Sequence, residues 1–307
     1  MKIFITGGAG FIGRHLVKSL LKSGHKVRIY DNLCNSSAKS VSGLVQGGAS
    51  FVKGDLTNYG ILSKSISGYD TAIHLAAQIS VQESIKNPQY TRLVNTTGTL
   101  TLLRACVEND IRNVIAASTA AVYGEPKRQP ISENSPTVPI SPYGVSKLVM
   151  EYYMRIFSKF YGMNCVSLRL FNVYGEGQSS AYAGVITKFM ESVNHSKPLV
   201  IFGDGYTTRD FVSVHDVVNA FENTIKRIRG KRGNVYNIAS GKYTTINELA
   251  GMILSISGKR LGIRHAKPRK GDIQKSQPLI TRAKKDLLYH PKIDLRKGLK
   301  KLLESSF

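Results

Sequence analysis

An apolar run, Lys2–Thr6, leads directly into Gly7-Gly-Ala-Gly-Phe-Ile-Gly13 and then into a segment of helical period, Gly13–Ser23. Glycines at 7 or 8, 10 and 13 permit a tight turn, close backbone approach to a ligand and close packing of helix on strand. A strand that turns straight into a helix commits the chain to a parallel sheet, because a long crossover must return it to the same edge. The first half keeps this alternation. Strands are read at Lys26–Tyr30, Ser50–Val52, Thr71–His74, Asn113–Ala117 and Cys165–Leu170, and helices at Gly60–Ile66, Tyr90–Asn109 and Tyr143–Tyr161. Beyond Asn172 the pattern loosens into a Gly/Ser/Tyr-rich loop over 175–184, a helix near Val185–Asn194, shorter elements and a polar basic segment over 267–275. No repeat or low-complexity linker separates the halves, so a second lobe is expected to pack tightly on the first.

Ligands of such sheets lie beyond the carboxyl ends of the strands. The helix that opens after Gly10 presents unpaired N–H groups to an anion, as a dinucleotide pyrophosphate requires. Asp31 ends the second strand, 18 residues beyond Gly13, where a carboxylate can accept hydrogen bonds from a ribose. It would repel a 2′-phosphate, and Asn32 rather than arginine follows it, so NAD is favoured over NADP. Asp55, after a further short strand, reads equally as a holder of the adenine end and as a turn or cap aspartate. His74-Leu-Ala-Ala-Gln78 ends another strand with small side chains that let a cofactor approach.

Tyr143 and Lys147 are four residues apart on a helix whose start is marked by Ser141-Pro142, so both project from one face. A phenol is a poor base at neutral pH, and an adjacent ammonium favours its anion. A Tyr and a Lys at this spacing are more often surface neighbours. Their position downstream of a dinucleotide motif, with hydroxyls at the strand end Ser118-Thr119, marks this pair out.

The segments GGAGFIG, Asp31–Ser36, HLAAQ, Val94-Asn95, STAAVYG (118–124), SPYGVSK (141–147), RLFNVYG (169–175), TRDFV (208–212), His215-Asp-Val217 and Arg269-Lys-Gly-Asp272 occur in order along nearly the whole chain. Together they resemble the extended short-chain dehydrogenases acting on nucleotide sugars, and most resemble UDP-glucose 4-epimerases. The resemblance implies an α/β fold: a Rossmann-like doubly wound parallel sheet with a smaller α/β C-terminal substrate lobe. The NAD-binding domain would span 1–171 and the nucleotide-sugar lobe 172–307, with some segments returning to the first domain. It also implies Tyr143 as catalytic base, Lys147 as its electrostatic partner and ribose ligand, and Thr119 as the hydroxyl orienting the sugar 4-OH. Many such epimerases carry serine at that last position. NAD would be held by Gly7, Gly10, Phe11, Ile12, Gly13, Asp31, Asn32, Asn35, Ser36, Asp55, Leu56, Leu75, Ala76, Ala77, Gln78 and Asn95, with Tyr143 and Lys147. Asn172, Arg209 and Arg269 would contact the UDP-sugar diphosphate and nucleotide, Asp272 the uridine ribose, and Ser276 the sugar at C2, where a small residue admits an N-acetyl group. Related 4,6-dehydratases commonly carry an Asp-Glu pair after the active-site threonine. Here Ala120-Ala121 stand there, which disfavours dehydration and, for want of the glutamate, UDP-glucuronate decarboxylation. UDP-glucuronate epimerisation stays open.

The chain has 307 residues and a net charge of +23. Between Lys226 and Lys301 there are 21 Lys/Arg against 4 acids, a surplus of 17. Such a face attracts polyanions. Its cations are interspersed with apolar positions and lack interleaved aromatics, so a solvated basic face is favoured over a nucleic-acid site. A non-catalytic NAD-sensing or nucleic-acid-associated relative would not need Thr119, Tyr143 and Lys147 together. Cys34, Cys106 and Cys165 are widely spaced, without disulfide or metal-site spacing, and no metal is expected. No stretch reaches about 18 apolar residues and no cationic leader precedes Lys2, so a soluble, cytoplasmic protein without a membrane span is expected. Apolar residues on more than one face of Tyr90–Asn109 and Tyr143–Tyr161 are expected to pair these helices with a second copy in a homodimer.

Overall fold

The computed structural model describes residues 1–178, 184–268 and 274–304. Seven strands form one parallel sheet: β1 (Lys2–Thr6), β2 (Lys26–Asp31), β3 (Ser50–Lys53), β4 (Thr71–His74), β5 (Asn113–Thr119), β6 (Asn164–Leu170) and β7 (Arg232–Ile238). Their spatial order is β7-β6-β5-β4-β1-β2-β3. The order reverses beside β1, which pairs with β2 on one side and β4 on the other. That reversal opens a crevice at the carboxyl ends of these strands.

The apolar runs are continuous because both faces of the sheet are covered. Ile3 and Ile5 pack with Leu16, Val17 and Phe221 on one face, while Phe4 between them packs with Leu62, Leu102 and Met150 on the other. All three are fully buried. Helix α1 (Phe11–Lys22) covers the first face. It approaches closely because Gly13 has no side chain: a Cβ there would lie 2.4 Å from the Gly7 carbonyl oxygen.

The segment expected as a single helix over Tyr90–Asn109 is helical but not uniform. It runs from Pro88 to Thr91, passes through a π-helical stretch at Arg92–Thr97, and continues as α2 (Gly98–Glu108). Helix α3 (Pro142–Tyr161) begins where the sequence marks it, with the Ser141 hydroxyl accepting from the Gly144 amide at 3.1 Å and Pro142 in the first turn. Two helices of the first half that the pattern did not reveal, Ala38–Gln46 and Val81–Lys86, are short and polar, and their serine N-caps define them better than any periodicity.

The chain after residue 171 returns to the sheet. Helix α4 (Val214–Arg227) lies on α1, where the Ser19 hydroxyl donates to Glu222 at 2.6 Å. Strand β7 pairs with β6 at the sheet edge. Asn237 explains why β7 does not read as a buried strand: this fully enclosed polar residue accepts from the Tyr123 hydroxyl and donates to the Ile131 and Leu279 carbonyls. A smaller α/β lobe gathers Val185–Asn194, Ile246–Ser257 and Leu295–Glu304 around Phe189, Leu249 and Leu299, beside the parallel pair Leu199–Phe202 and Ile263–Ala266. Among the described residues no helix is long and apolar enough to cross a membrane.

Candidate active site

A cleft of about 920 Å³ opens at the carboxyl ends of β1, β2, β4, β5 and β6. Gly7, Gly10, Phe11, Ile12 and Gly13 line it from the first turn, Asp31, Asn32, Asn35 and Ser36 from the end of β2, and Asp55 and Leu56 from beyond β3. Leu75, Ala76, Ala77 and Gln78 line it from the end of β4, and Thr119, Tyr143, Lys147 and Asn172 from its other half. Residues expected at a cofactor thus converge on one space, with a single displacement. Asn95 lies behind the wall, 2% exposed. From the π-helical stretch it accepts from the Gln78 amide at 2.7 Å and donates to the Gln78 carbonyl and the Ser146 hydroxyl, each at 2.9 Å. It therefore shapes the cleft without facing it.

These residues fit NAD. Gly10 caps α1 with no side-chain hydrogen bond, so the first-turn amides remain to meet a pyrophosphate. Asp31 accepts from the Ala9 amide at 3.0 Å and the Leu33 amide at 2.8 Å, fixing its carboxylate between the glycine turn and the β2 end. Burial raises its pKa, and those amide bonds oppose the rise only in part. Asp55 acts as the turn aspartate, accepting from the Thr57 amide and hydroxyl, and it lines the cleft while accepting from Asn32 Nδ2 at 2.8 Å. These bonds outweigh burial and hold its carboxyl below the usual range.

At the floor of the cleft the Tyr143 phenol and the Thr119 hydroxyl line the same space. Burial raises the Tyr143 pKa and the nearby Thr119 hydroxyl only partly opposes it. The lowering expected from Lys147 is therefore not what the protein groups produce here, because the Lys147 ammonium donates instead to the Ala117 carbonyl at 2.9 Å. Lys147 is 3% exposed, and burial brings its pKa down to about 8 against the supporting charge of Glu151. His74 stays neutral between the Thr6 and Thr99 hydroxyls, pushed down to about 3 by burial and by Lys147.

Glu151 continues the Tyr143–Lys147 face by one turn and was not identified from the sequence. It accepts from the Ser118 hydroxyl at 2.5 Å and from Arg169 at 2.9 and 2.7 Å. Both charged side chains are about 95% or more enclosed. Arg169 also stacks its guanidinium 4.7 Å from the centre of the Tyr123 ring. The four-residue spacing from Lys147 was the available signal for Glu151, whereas Arg169 meets it only through the fold.

A smaller cleft of about 210 Å³ adjoins the first and shares Asn172, Val173, Gln178 and Gly184 with it. Arg209 lines it. Its neighbour Asp210, fully buried and raised to about 6 by that burial, accepts from the Ser240 and Gly241 amides at 2.7 Å. The Asp210 carbonyl accepts from Asn172 Nδ2 at 3.0 Å. Arg269 and Asp272 lie outside the described residues. Ser276, expected beside the sugar C2, is instead buried and lines neither cleft, because its segment is held to Gln129 and Ile131 through Lys275 and Gln277. Two adjoining clefts, one suited to a dinucleotide and one carrying an arginine, with a Tyr-Thr-Lys group in the first, suit redox chemistry on a phosphorylated substrate.

Comparison with known proteins agrees with this geometry. Residues 3–239 match the model of the NAD dependent epimerase/dehydratase family. The chain is 38% identical over 304 residues to a putative UDP-glucose 4-epimerase of Methanocaldococcus jannaschii, covering 98% of this chain and 97% of that one. It superposes on the UDP-glucose 4-epimerase of Thermotoga maritima, solved with UDP-glucose, with a TM-score of 0.93 at 35% identity over 99% of this chain and 98% of the other. The UDP-N-acetylglucosamine 4-epimerase of Methanobrevibacter ruminantium, in complex with UDP-N-acetylmuramic acid, gives 0.94 at 33% identity over 100% and 99%.

Proposed function

The chain belongs to the NAD-dependent epimerase/dehydratase family, and we propose that it interconverts the C4 epimers of a UDP-hexose. The observation that carries this reading is the convergence of Thr119, Tyr143 and buried Lys147 on one cleft, with Ala120 and Ala121 following Thr119 where dehydration would need carboxylates.

Inverting a carbon with an unactivated C–H requires its transient oxidation. When bound, NAD supplies reversible hydride acceptance at C4, so the redox balance closes without a second partner. The protein's own groups handle the proton and the positioning. Tyr143 takes the 4-hydroxyl proton and returns it, Thr119 orients that hydroxyl, and Lys147 favours the phenolate. Arg209, with Arg269, holds the diphosphate about which the 4-keto sugar turns to present its other face. Asn172 and Asp272 complete the nucleotide-sugar contacts in this reading. The likeness to a UDP-N-acetylglucosamine 4-epimerase supports acceptance of UDP-GlcNAc and UDP-GalNAc beside UDP-glucose and UDP-galactose.

Incubation with UDP-galactose, UDP-GalNAc, UDP-galacturonate and dTDP-glucose separately, followed by proton NMR, tests the reading. A C4 epimer that disappears in Tyr143→Phe is expected. A 4-keto-6-deoxy product would replace epimerisation by dehydration. A turnover ratio strongly favouring the non-acetylated pair would remove the N-acetyl part of the proposal.

A further inference from the structure

Helix α1 does more than present its N-terminus to the cofactor cleft. Two successive residues near its start hold two successive carbonyls of the segment that follows Tyr174. Arg14 donates to the Gly177 carbonyl at 2.6 Å and His15 to the Glu176 carbonyl at 2.9 Å. Arg14, Gly177 and Gln178 line the large cleft, and Gln178 also lines the small one, where its side chain accepts from the Thr187 hydroxyl at 3.0 Å.

The contact depends on glycine at 177. That residue has φ +78°, and a Cβ on it would lie 2.5 Å from Arg14 Nη2. His15 is fixed in turn, edge-to-face with Phe11 at 5.9 Å and with His215 at 5.3 Å between ring centres. One rigid helix thus borders the dinucleotide cleft through Gly10, Phe11 and Arg14 and grips, through Arg14 and His15, the backbone at 176 and 177 that leads directly into Gln178 on the wall of the other cleft.

We propose that Arg14 and His15 form a latch of positioning residues that couples the two clefts, so that filling either one tightens binding in the other. The physical reason is shared ordering: a ligand that immobilises the first turns of α1 also immobilises the carbonyls at 176 and 177, and the second ligand then meets a wall already ordered. Such coupling is reciprocal by thermodynamic necessity. The proposal rests on the reading that the small cleft takes the nucleotide part of a nucleotide sugar.

The test is the rate of NAD release measured with and without saturating UDP. In the parent chain UDP slows release by roughly tenfold, within the usual range of allosteric coupling. In Arg14→Ala, His15→Ala and Gly177→Ala this ratio falls below about twofold, and the Arg14→Ala/Gly177→Ala double variant shows no further loss, as expected of one shared contact. Arg14→Ala also speeds NAD release directly, because Arg14 lines the cleft, but a direct contact leaves the UDP-dependent ratio unchanged. Variants that keep the parent ratio overturn the latch while leaving the functional reading intact, as does a parent chain that binds UDP without any change in NAD release. Failure of the parent to bind UDP overturns the functional reading and the latch with it.

Discussion

Lys147 is enclosed, and burial brings its ammonium to about pKa 8, with Glu151 as the charge that opposes the fall. In the proposed function Lys147 favours the Tyr143 phenolate once cofactor binding turns its ammonium from the Ala117 carbonyl, and only the protonated form does so, so kcat/KM is expected to decline as pH rises through about 8. In Glu151→Gln the opposing charge is gone and this alkaline limb moves to lower pH. The same substitution leaves Arg169 buried without its carboxylate, a loss of about 3–5 kcal/mol in denaturant unfolding by the usual cost of breaking a buried ion pair. A limb that stays in place in the folded variant would remove Glu151 from the control of Lys147. At this scale the proposed catalytic trio was legible as a group because its spacing and its place after a glycine turn are local facts. Arg169 and Asp210 were not legible as site-shaping residues, since their partners come together only across strands and turns distant in sequence.

The strands of the sheet were legible because residues such as Ile3, Phe4 and Ile5 are buried on both faces and leave uninterrupted apolar runs. β7 escaped because its polar positions are satisfied inside the fold, Asn237 by Tyr123, Ile131 and Leu279. The π-helical stretch at Arg92–Thr97 escaped because one extra residue per turn leaves almost no trace in apolar period, yet it carries Asn95 to the back of the cofactor wall. The contact of the first turn with α1 gives the sharpest prediction for an element. In Gly13→Ala the new methyl meets the Gly7 and Gly8 backbone at 2.4–2.7 Å. Overpacking of this kind costs about 1–3 kcal/mol, so a lower melting temperature and weakened NAD binding are expected. Unchanged NAD affinity in the variant would contradict the role given to this turn.

For the molecule as a whole, the surplus of cations between Lys226 and Lys301 was legible by counting, and nothing in either cleft requires most of them. A second surface feature bears on assembly. Val145, Tyr152, Ile156 and Phe160 are exposed along α3, with Tyr90 and Leu93 also exposed in the preceding helical segment. An apolar stripe on a helix that already packs its own sheet supports the proposed homodimer. Light scattering is expected to give twice the chain mass for the parent and the single-chain mass for Tyr152→Glu/Ile156→Glu, and a monomeric parent would contradict the assembly. The central claim is that one carbon is oxidised and reduced within a single cleft, and UDP-galactose carrying deuterium at C4 tests it most directly. The account predicts UDP-glucose that retains the deuterium at C4 and gains none from solvent; deuterium lost to water, or a product altered at C5 and C6, would contradict it.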